Sequence, residues 1–450
     1  MKRKIYNKLK EWKQNNARKE ALLIDGARRV GKSYIVEEFA KNEYKSYILI
    51  NFGNMTKELR EIFDNYLSDL DSFFMRLSLW SGVKLYHHES LIIFDEVQLY
   101  PKAREAIKWL VADNRYDYIE TGSLISIRRN TNGILIPSEE CHIDMHPMDF
   151  EEFLWAMGED SIMSFVAECF EKKQSLGAAL HRKLMDYLRL YMIIGGMPQA
   201  VNEYVESRDF DNVDHIKRNI LSLYRNDIYK YSAHDAPKVI RIFDSIPGQL
   251  QRHEKRFRIG NLQKGARTRD YHNAFFWLDE ARIVNTCYAA TEPSIGLKLN
   301  RDDAKYKLYF ADTGLLISHS FDENEILSEK LYAKLLLDKI EINKGMLVEN
   351  LVAQIFRTSG KKLYYYTQSN RDNSEDNIEI DFLIRKPIVK NRHNICPVEV
   401  KSSNNYKTSS LIKFRNKFSQ YLHTNYVLHS GDLKEDNGIL YLPLYMAPLL

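Results

Sequence analysis

Short apolar runs alternate with helical patterns over the first third of the chain. Ala21-Leu22-Leu23-Ile24, Tyr47-Ile48-Leu49-Ile50, Leu91-Ile92-Ile93-Phe94 and Tyr118-Ile119 are short and almost uninterrupted, the pattern of strands buried on both faces of a parallel sheet. Between them the hydrophobic period lengthens to that of a helix. After Pro101, the residues Ala103, Ala106, Ile107, Leu110 and Val111 recur at helical spacing and leave Lys102, Arg104, Glu105 and Lys108 outward, which predicts a crossover helix covering the sheet. From about Phe150 to Ser232 the pattern is helical throughout, interrupted at Gly195-Gly196-Met197-Pro198, where Gly and Pro turn the chain. Shorter helical patterns from about Asp235 lead to apolar runs at Ile283-Val284 and Tyr306 to Phe310, flanking a polar loop at Asn300 to Asp303. Helices followed by a small hairpin predict a winged helix. The charged stretch Asp322 to Asn343 reads as a linker, and α/β character returns near Gly345.

A chain of 450 residues exceeds what one core organises at roughly 150 residues per domain. The pattern divides it into 1–155, 156–234, 235–325 and 326–450. At 44% hydrophobic and 28% charged the composition is globular, which excludes disordered and fibrous classes. Lys and Arg number 65 against 61 Asp and Glu, a net +4, so any polyanion site must be a local concentration of charge. The basic start, Met1 to Lys10, lacks the apolar core of a secretory signal. No run approaches the roughly 18 apolar residues of a membrane span, so the expectation is a soluble cytoplasmic protein with no membrane partner. Cys141, Cys169, Cys287 and Cys396 are widely separated, without a CxxC pair, and read as reduced structural thiols.

Gly26-Ala27-Arg28-Arg29-Val30-Gly31-Lys32-Ser33, followed by Tyr34, fits G-x-x-x-x-G-K-[ST] and lies between an apolar strand and a helix that turns Ile35, Val36, Phe39 and Ala40 inward. Glycines let the backbone curl so that successive N–H groups and the helix N-terminus face phosphate oxygens. Lys32 then neutralises the β- and γ-phosphates of ATP and Ser33 ligates Mg²⁺. Phe94-Asp95-Glu96 ends a buried strand in paired acids. Asp95 is the candidate magnesium ligand and Glu96 the candidate general base. Tyr118 to Ser123 ends another strand in small polar groups, with Thr121 or Ser123 as a γ-phosphate sensor, although a plain turn reads equally well. Arg28, Arg29, Arg128 and Arg129 are candidates for an arginine finger, which a neighbouring subunit can also supply.

A second constellation lies near the end of the chain. Val348, Leu351, Val352, Ile355 and Phe356 form one helical face bordered by Glu349. Glu379-Ile380-Asp381-Phe382 and Pro397-Val398-Glu399-Val400-Lys401 alternate as strands, which puts Glu379 with Asp381 and Glu399 with Lys401 on common sides. Two strand carboxylates near a helix Glu and a Lys suit Mg²⁺-dependent phosphodiester hydrolysis, with Asp381 and Glu399 on the metal and Lys401 orienting the nucleophile. Charged strand faces that are merely solvated give the same pattern. Between these regions Gln251 to Asp270 holds seven cations, Arg252, Lys255, Arg256, Arg258, Lys264, Arg267 and Arg269, against two acids. Such a segment can track a DNA backbone, or be a solvated face making salt bridges.

The chain resembles a group of prokaryotic AAA-type P-loop ATPases with a C-terminal domain related to restriction endonucleases. The likeness rests on Gly26 to Ser33, Phe94 to Glu96, Thr121-Gly122-Ser123, Pro147 to Leu154, Gly195 to Val201, Lys307 to Leu316, Glu379 to Phe382 and Val398 to Lys401. It implies an α/β architecture: an AAA-type P-loop ATPase domain, a helical segment, a winged helix and a restriction-endonuclease-like end. It carries Lys32, Ser33, Asp95 and Glu96 over as ATPase residues and Glu349, Asp381, Glu399 and Lys401 as nuclease-like ones. The expectation is an ATP-hydrolysing protein whose nucleotide state controls a DNA-binding module with a candidate Mg²⁺-dependent nuclease site. The alternative is a nucleotide switch whose inactive nuclease-like end binds DNA or a protein partner. A homo-oligomer fits either.

Overall fold

Four apolar runs become four parallel strands, three of them buried along their whole length. The computed structural model describes residues 1–122, 138–232, 235–252, 256–294, 296–321, 344–369, 376–386, 394–403 and 405–450. They divide into two units, Met1–His146 and Pro147–Leu450. The first runs α1 (Ile5–Asn15), β1 (Ala21–Gly26), α2 (Lys32–Glu43), β2 (Ser46–Asn51), α3 (Lys57–Asn65), α4 (Leu70–Ser81), β3 (Ser90–Asp95), α5 (Pro101–Asp113), β4 (Asp117–Gly122) and β5 (Glu140–Met145). Its sheet has the order β2-β3-β4-β1-β5 with every neighbouring pair parallel. Burial of β1, β3 and β4 is complete along their length, and Phe52, Phe63, Phe73, Phe94 and Tyr100 pack beside them edge to face, with centroids 5.2 to 5.8 Å apart.

The inner face of α5 is Ala103, Ala106, Ile107, Leu110 and Val111, as its spacing predicts. Arg104 corrects the expectation of an outward charge: it is buried, and its Nη2 lies 2.9 Å from Glu140 Oε1. The cause is β5, an edge strand whose polar sequence Glu140-Cys141-His142 gave no strand signal. His142 Nε2 approaches the same Glu140 oxygen at 2.7 Å. Buried Glu120 on β4 completes the group. Burial, with Glu140 alongside, pushes the Glu120 carboxyl well above the ordinary carboxylate value. Burial also opposes charge on Glu140, but His142, Glu120 and Arg104 outweigh it and hold Glu140 below that value.

The folded environment therefore favours the protonated Glu120 carboxyl more than the unfolded chain does. Folding then costs roughly 1.4 kcal/mol more per pH unit above the ordinary carboxylate range, up to the raised folded value. Glu120→Gln copies the protonated shape and removes this cost. Its stability advantage over wild type is expected to grow as the pH rises above the ordinary carboxylate range in chemical denaturation, and parallel stability curves would contradict the assignment.

The second unit opens with α6 (Phe150–Ala156), α7 (Ile162–Glu171), α8 (Ala178–Ile194), α9 (Pro198–Ser207), α10 (Phe210–Ser232), α11 (Ala236–Leu250) and α12 (Thr268–Glu280). Strands β6 (Val284–Ala290) and β7 (Arg301–Phe310), then α13 (Thr313–Ser320), α14 (Lys344–Thr358), β8 (Tyr364–Gln368), β9 (Ile378–Ile380), β10 (Phe382–Arg385), β11 (Ile395–Val400), α15 (Ser409–Phe418), β12 (Asn425–His429), β13 (Lys434–Asp436) and β14 (Ile439–Pro443) follow. One sheet has the order β7-β6-β8-β9 and the other β10-β11-β12-β14-β13. The hairpin β6–β7 thus shares a sheet with strands beyond residue 325, so the sequence-drawn boundary there is crossed by hydrogen-bonded strands. The two compact units divide after His146.

Several motifs behind the resemblance meet at one buried node. Asp149 caps α6 in a capping box: Glu152 N donates to Asp149 Oδ1 at 2.9 Å and Asp149 N to Glu152 Oε2 at 3.1 Å. Asp312 accepts from Gly196 N at 2.6 Å and from Leu315 N at 2.9 Å. Thr313 N and Oγ1 each donate to Gln354 Oε1 at 2.8 Å. A Cβ on Gly195, which has φ +86°, would strike the Asp312 carboxylate, and one on Gly314 would strike the Ile194 carbonyl. Close backbone approach, rather than ligand binding, accounts for these glycines. All four cysteines are free thiols. Among the described residues no helix is long and apolar enough to cross a membrane.

Candidate functional site

The loop after β1 curls because three of its residues permit it. A Cβ on Gly26 would run into the Met145 carbonyl, Arg29 has φ +70°, and Gly31 has φ +94° at the start of α2. Lys32 Nζ donates to the carbonyls of Gly26 at 3.1 Å and Ala27 at 3.0 Å, so the ammonium lies over the curl. Burial lowers the Lys32 pKa, while the Glu96, Asp25 and Asp95 carboxylates act to keep it charged. Ala27 and Val30 are buried, Arg28 and Arg29 are exposed, and Tyr34 stands 59% exposed on the first turn of α2.

Asp95, at the tip of β3, gathers the polar groups predicted around it. Ser33 Oγ donates to Asp95 Oδ1 at 2.8 Å and Thr121 Oγ1 donates to the same oxygen. Asn51 Nδ2 donates to Asp95 Oδ2 at 2.7 Å. Glu96 follows with a left-handed backbone, φ +56°, and accepts from Gln98 Nε2. The hydroxyl and carboxylate oxygens of Ser33 and Asp95 are hard donors whose chemistry fits Mg²⁺. Ser123, Arg128 and Arg129 lie outside the described residues.

Two contributors carried little readable signal. Arg3 Nη1 donates to Val30 O at 2.9 Å and Nη2 to His146 O at 2.7 Å, bracing the loop, yet it sits in a stretch that reads as a charged terminus. Asn51 reaches Asp95 because their strands are in register. A polar residue ending a buried run was the available clue.

In the second unit the acids converge on a lysine. Lys307 Nζ on β7 lies 3.2 Å from Glu349 Oε1, 3.1 Å from Glu379 Oε1 and 3.9 Å from Asp381 Oδ1. Tyr309 OH donates to Glu349 Oε1, and Val400 N donates to Asp381 Oδ2 at 2.8 Å. Burial alone pulls the Lys307 ammonium down, but the Glu349, Glu379 and Asp381 carboxylates outweigh it and hold it well above the ordinary lysine value. Lys401 Nζ pairs with Glu399 Oε2 at 2.8 Å; burial raises the Glu399 carboxyl, against the pull of Lys401. Glu349, read as bordering an apolar stripe, is itself buried. Sequence reading missed Lys307 and Tyr309 as members of this group; a lysine among strand aromatics was the signal, since a buried lysine needs an acid partner. Among the described residues, no group of three or more His, Cys, Asp and Glu is arranged to hold a metal ion.

Five of the seven predicted DNA-tracking cations are exposed: Arg252, Arg258, Lys264 and Arg267 between the end of α11 and the start of α12, and Arg269 in the first turn of α12. Arg256 is half-buried, its Nη2 3.4 Å from the Ala304 carbonyl, and Lys255 lies outside the described residues.

A curled glycine loop, a lysine over it and a strand-tip carboxylate hydrogen-bonded to the loop serine define the first unit as a P-loop nucleotide-binding domain. Residues 18–154 match the family described as an AAA domain, which supports a P-loop ATPase domain there. Residues 185–325 match a domain of unknown function, DUF8612, and residues 344–446 another, DUF4143. No curated protein matches the chain. Similar solved structures include PCH-2 of C. elegans, at 13% identity and TM-score 0.19 over 37% of this chain and 43% of that one. The chain thus spans less than half the length of PCH-2. Cdc6p from Pyrobaculum aerophilum aligns at 13% identity and TM-score 0.23 over 74% of this chain and 92% of its own. A signal transduction ATPase with numerous domains, carrying a tetratricopeptide repeat sensor, from Pyrococcus horikoshii aligns at 11% identity and TM-score 0.27 over 79% and 48%.

Proposed function

We propose that the protein is an Mg²⁺-dependent ATPase whose nucleotide state controls DNA binding by its second unit. The convergence of Ser33 and Thr121 on Asp95 beside the P-loop carries this reading. Backbone N–H groups of Gly26 to Ser33 hold the phosphates, and the Lys32 ammonium screens their charge. Ser33 and Asp95 hold Mg²⁺, which supplies charge neutralisation of the phosphates when bound. Asn51 and Thr121 keep the Asp95 carboxylate oriented from two sides. Glu96 accepts the proton of the attacking water, and its contact with Gln98 fixes the carboxylate direction. Arg28 and Arg29 are exposed at the loop.

In the second unit, two helices followed by the β6–β7 hairpin support a winged-helix-like reading, and the exposed basic segment between α11 and α12 supplies the phosphate contacts. The succession of Glu349 on α14, Asp381 between β9 and β10, and Glu399 with Lys401 at β11 supports a restriction-endonuclease-like terminal part. DNA is expected to stimulate Mg²⁺-dependent ATP hydrolysis. Replacing Lys264, Arg267 and Arg269 together with Ala should weaken DNA binding and flatten its log–log salt dependence by about 2 to 3. Hydrolysis indifferent to DNA, with a salt slope unchanged in the triple variant, would turn the reading toward a protein partner.

A further inference from the structure

Three acids from two elements, Glu349 on α14, Glu379 on β9 and Asp381 just after it, face one point, and a divalent cation is what such a convergence ordinarily holds. Here the point is taken. The Lys307 ammonium sits within 3.1 to 3.9 Å of an oxygen from each acid, and its side chain is 1% exposed. It is also packed over the Tyr365 ring, 4.9 Å from the centroid. Besides the Lys307 ammonium, Tyr309 donates to Glu349 Oε1 and the backbone N–H of Val400 to Asp381 Oδ2. Mg²⁺ needs ligand oxygens at about 2.0–2.1 Å in a near-octahedral set, which cannot be assembled around a point already held by an ammonium. The residues present do not fit a metal.

We infer that Lys307 is a built-in counter-ion standing where a nuclease would hold its divalent cation, so that the terminal part of this chain is a metal-independent binding module that does not cleave phosphodiesters. The lysine ties the β6–β7 hairpin to α14 and to the β9–β10 junction by charge. This rests on the restriction-endonuclease-like reading of the terminal part, but not on ATP hydrolysis or DNA binding.

Titration calorimetry of Mn²⁺ into the full chain, without nucleotide, tests it in four forms: wild type, Lys307→Ala, Asp381→Asn and the double variant. Any binding at Ser33 and Asp95 is common to all four and cancels. Lys307→Ala should gain a site at least roughly tenfold tighter than any that wild type shows there, and Asp381→Asn should remove that gain in the double variant. Wild-type binding that Asp381→Asn abolishes overturns the inference, and so does a folded Lys307→Ala that gains no site. If Lys307→Ala does not fold, Lys307→Met preserves the volume and replaces it, while the comparison of wild type with Asp381→Asn decides by itself. Mg²⁺-dependent DNA cleavage by wild type, lost in Asp381→Asn, would also overturn it, and would leave the ATPase reading untouched.

Discussion

Lys32→Ala is expected to lower ATP hydrolysis by roughly 10²- to 10³-fold, the loss that follows removal of one preorganised charge-stabilising donor. Lys32 is placed by the curl of the loop, with its ammonium 3.0 to 3.1 Å from two loop carbonyls. A half-buried position gives that charge more effect on a phosphate than it would have in water. Alanine keeps the helix, being the best helix former, so the loss is of charge and not of fold. Glu96→Gln separates binding from chemistry: ATP should still bind, and phosphate release should fall because an amide cannot take a proton. Phosphate release by Lys32→Ala at the wild-type rate would remove the loop from the reaction.

Asp312→Ala is expected to destabilise the second unit by about 3–5 kcal/mol, the cost of removing one partner from a buried charged network. Burial raises the Asp312 carboxyl, while the backbone N–H groups of Gly196, Leu315 and Gly314 and the nearby Lys217 pull it down. Alanine would strand the donors at Gly196 and Leu315, each an unsatisfied polar group in a dry interior. Asp312→Asn keeps the shape and one acceptor and should lose less. Chemical denaturation reads the difference; equal midpoints for wild type and Asp312→Ala would show the node to be dispensable.

The parts legible in the sequence were those written contiguously. The P-loop, the strands around Leu22, Ile48, Ile92 and Tyr118, and the apolar face of α5 each lie within one short segment, so spacing alone reveals them. Arg104 was misread because its partner Glu140 belongs to a strand with no hydrophobic alternation. The role of Lys307 is not legible in its own segment because its acids arrive from residues 349, 379 and 381, and only the folded sheets bring them together. Asp381 stood out as an acid in an alternating strand. That it falls between β9 and β10, where the chain leaves one sheet for the other, has no signature in a pattern of period two.

The node at Asp312 also governs when this polypeptide can fold. Gly196 and Asp312 are 116 positions apart, and His181 Nδ1 meets the Tyr445 hydroxyl at 2.9 Å across 264 positions. Such separations place the second unit among slow, non-local folders, because loop-closure entropy is spent before these contacts reward it. On the ribosome, α8 emerges long before Tyr445 is synthesised, and its apolar stripe waits uncovered through that interval. A nascent chain of this kind depends on protection from aggregation until the last strands arrive, whereas the first unit, complete by His146, can fold early.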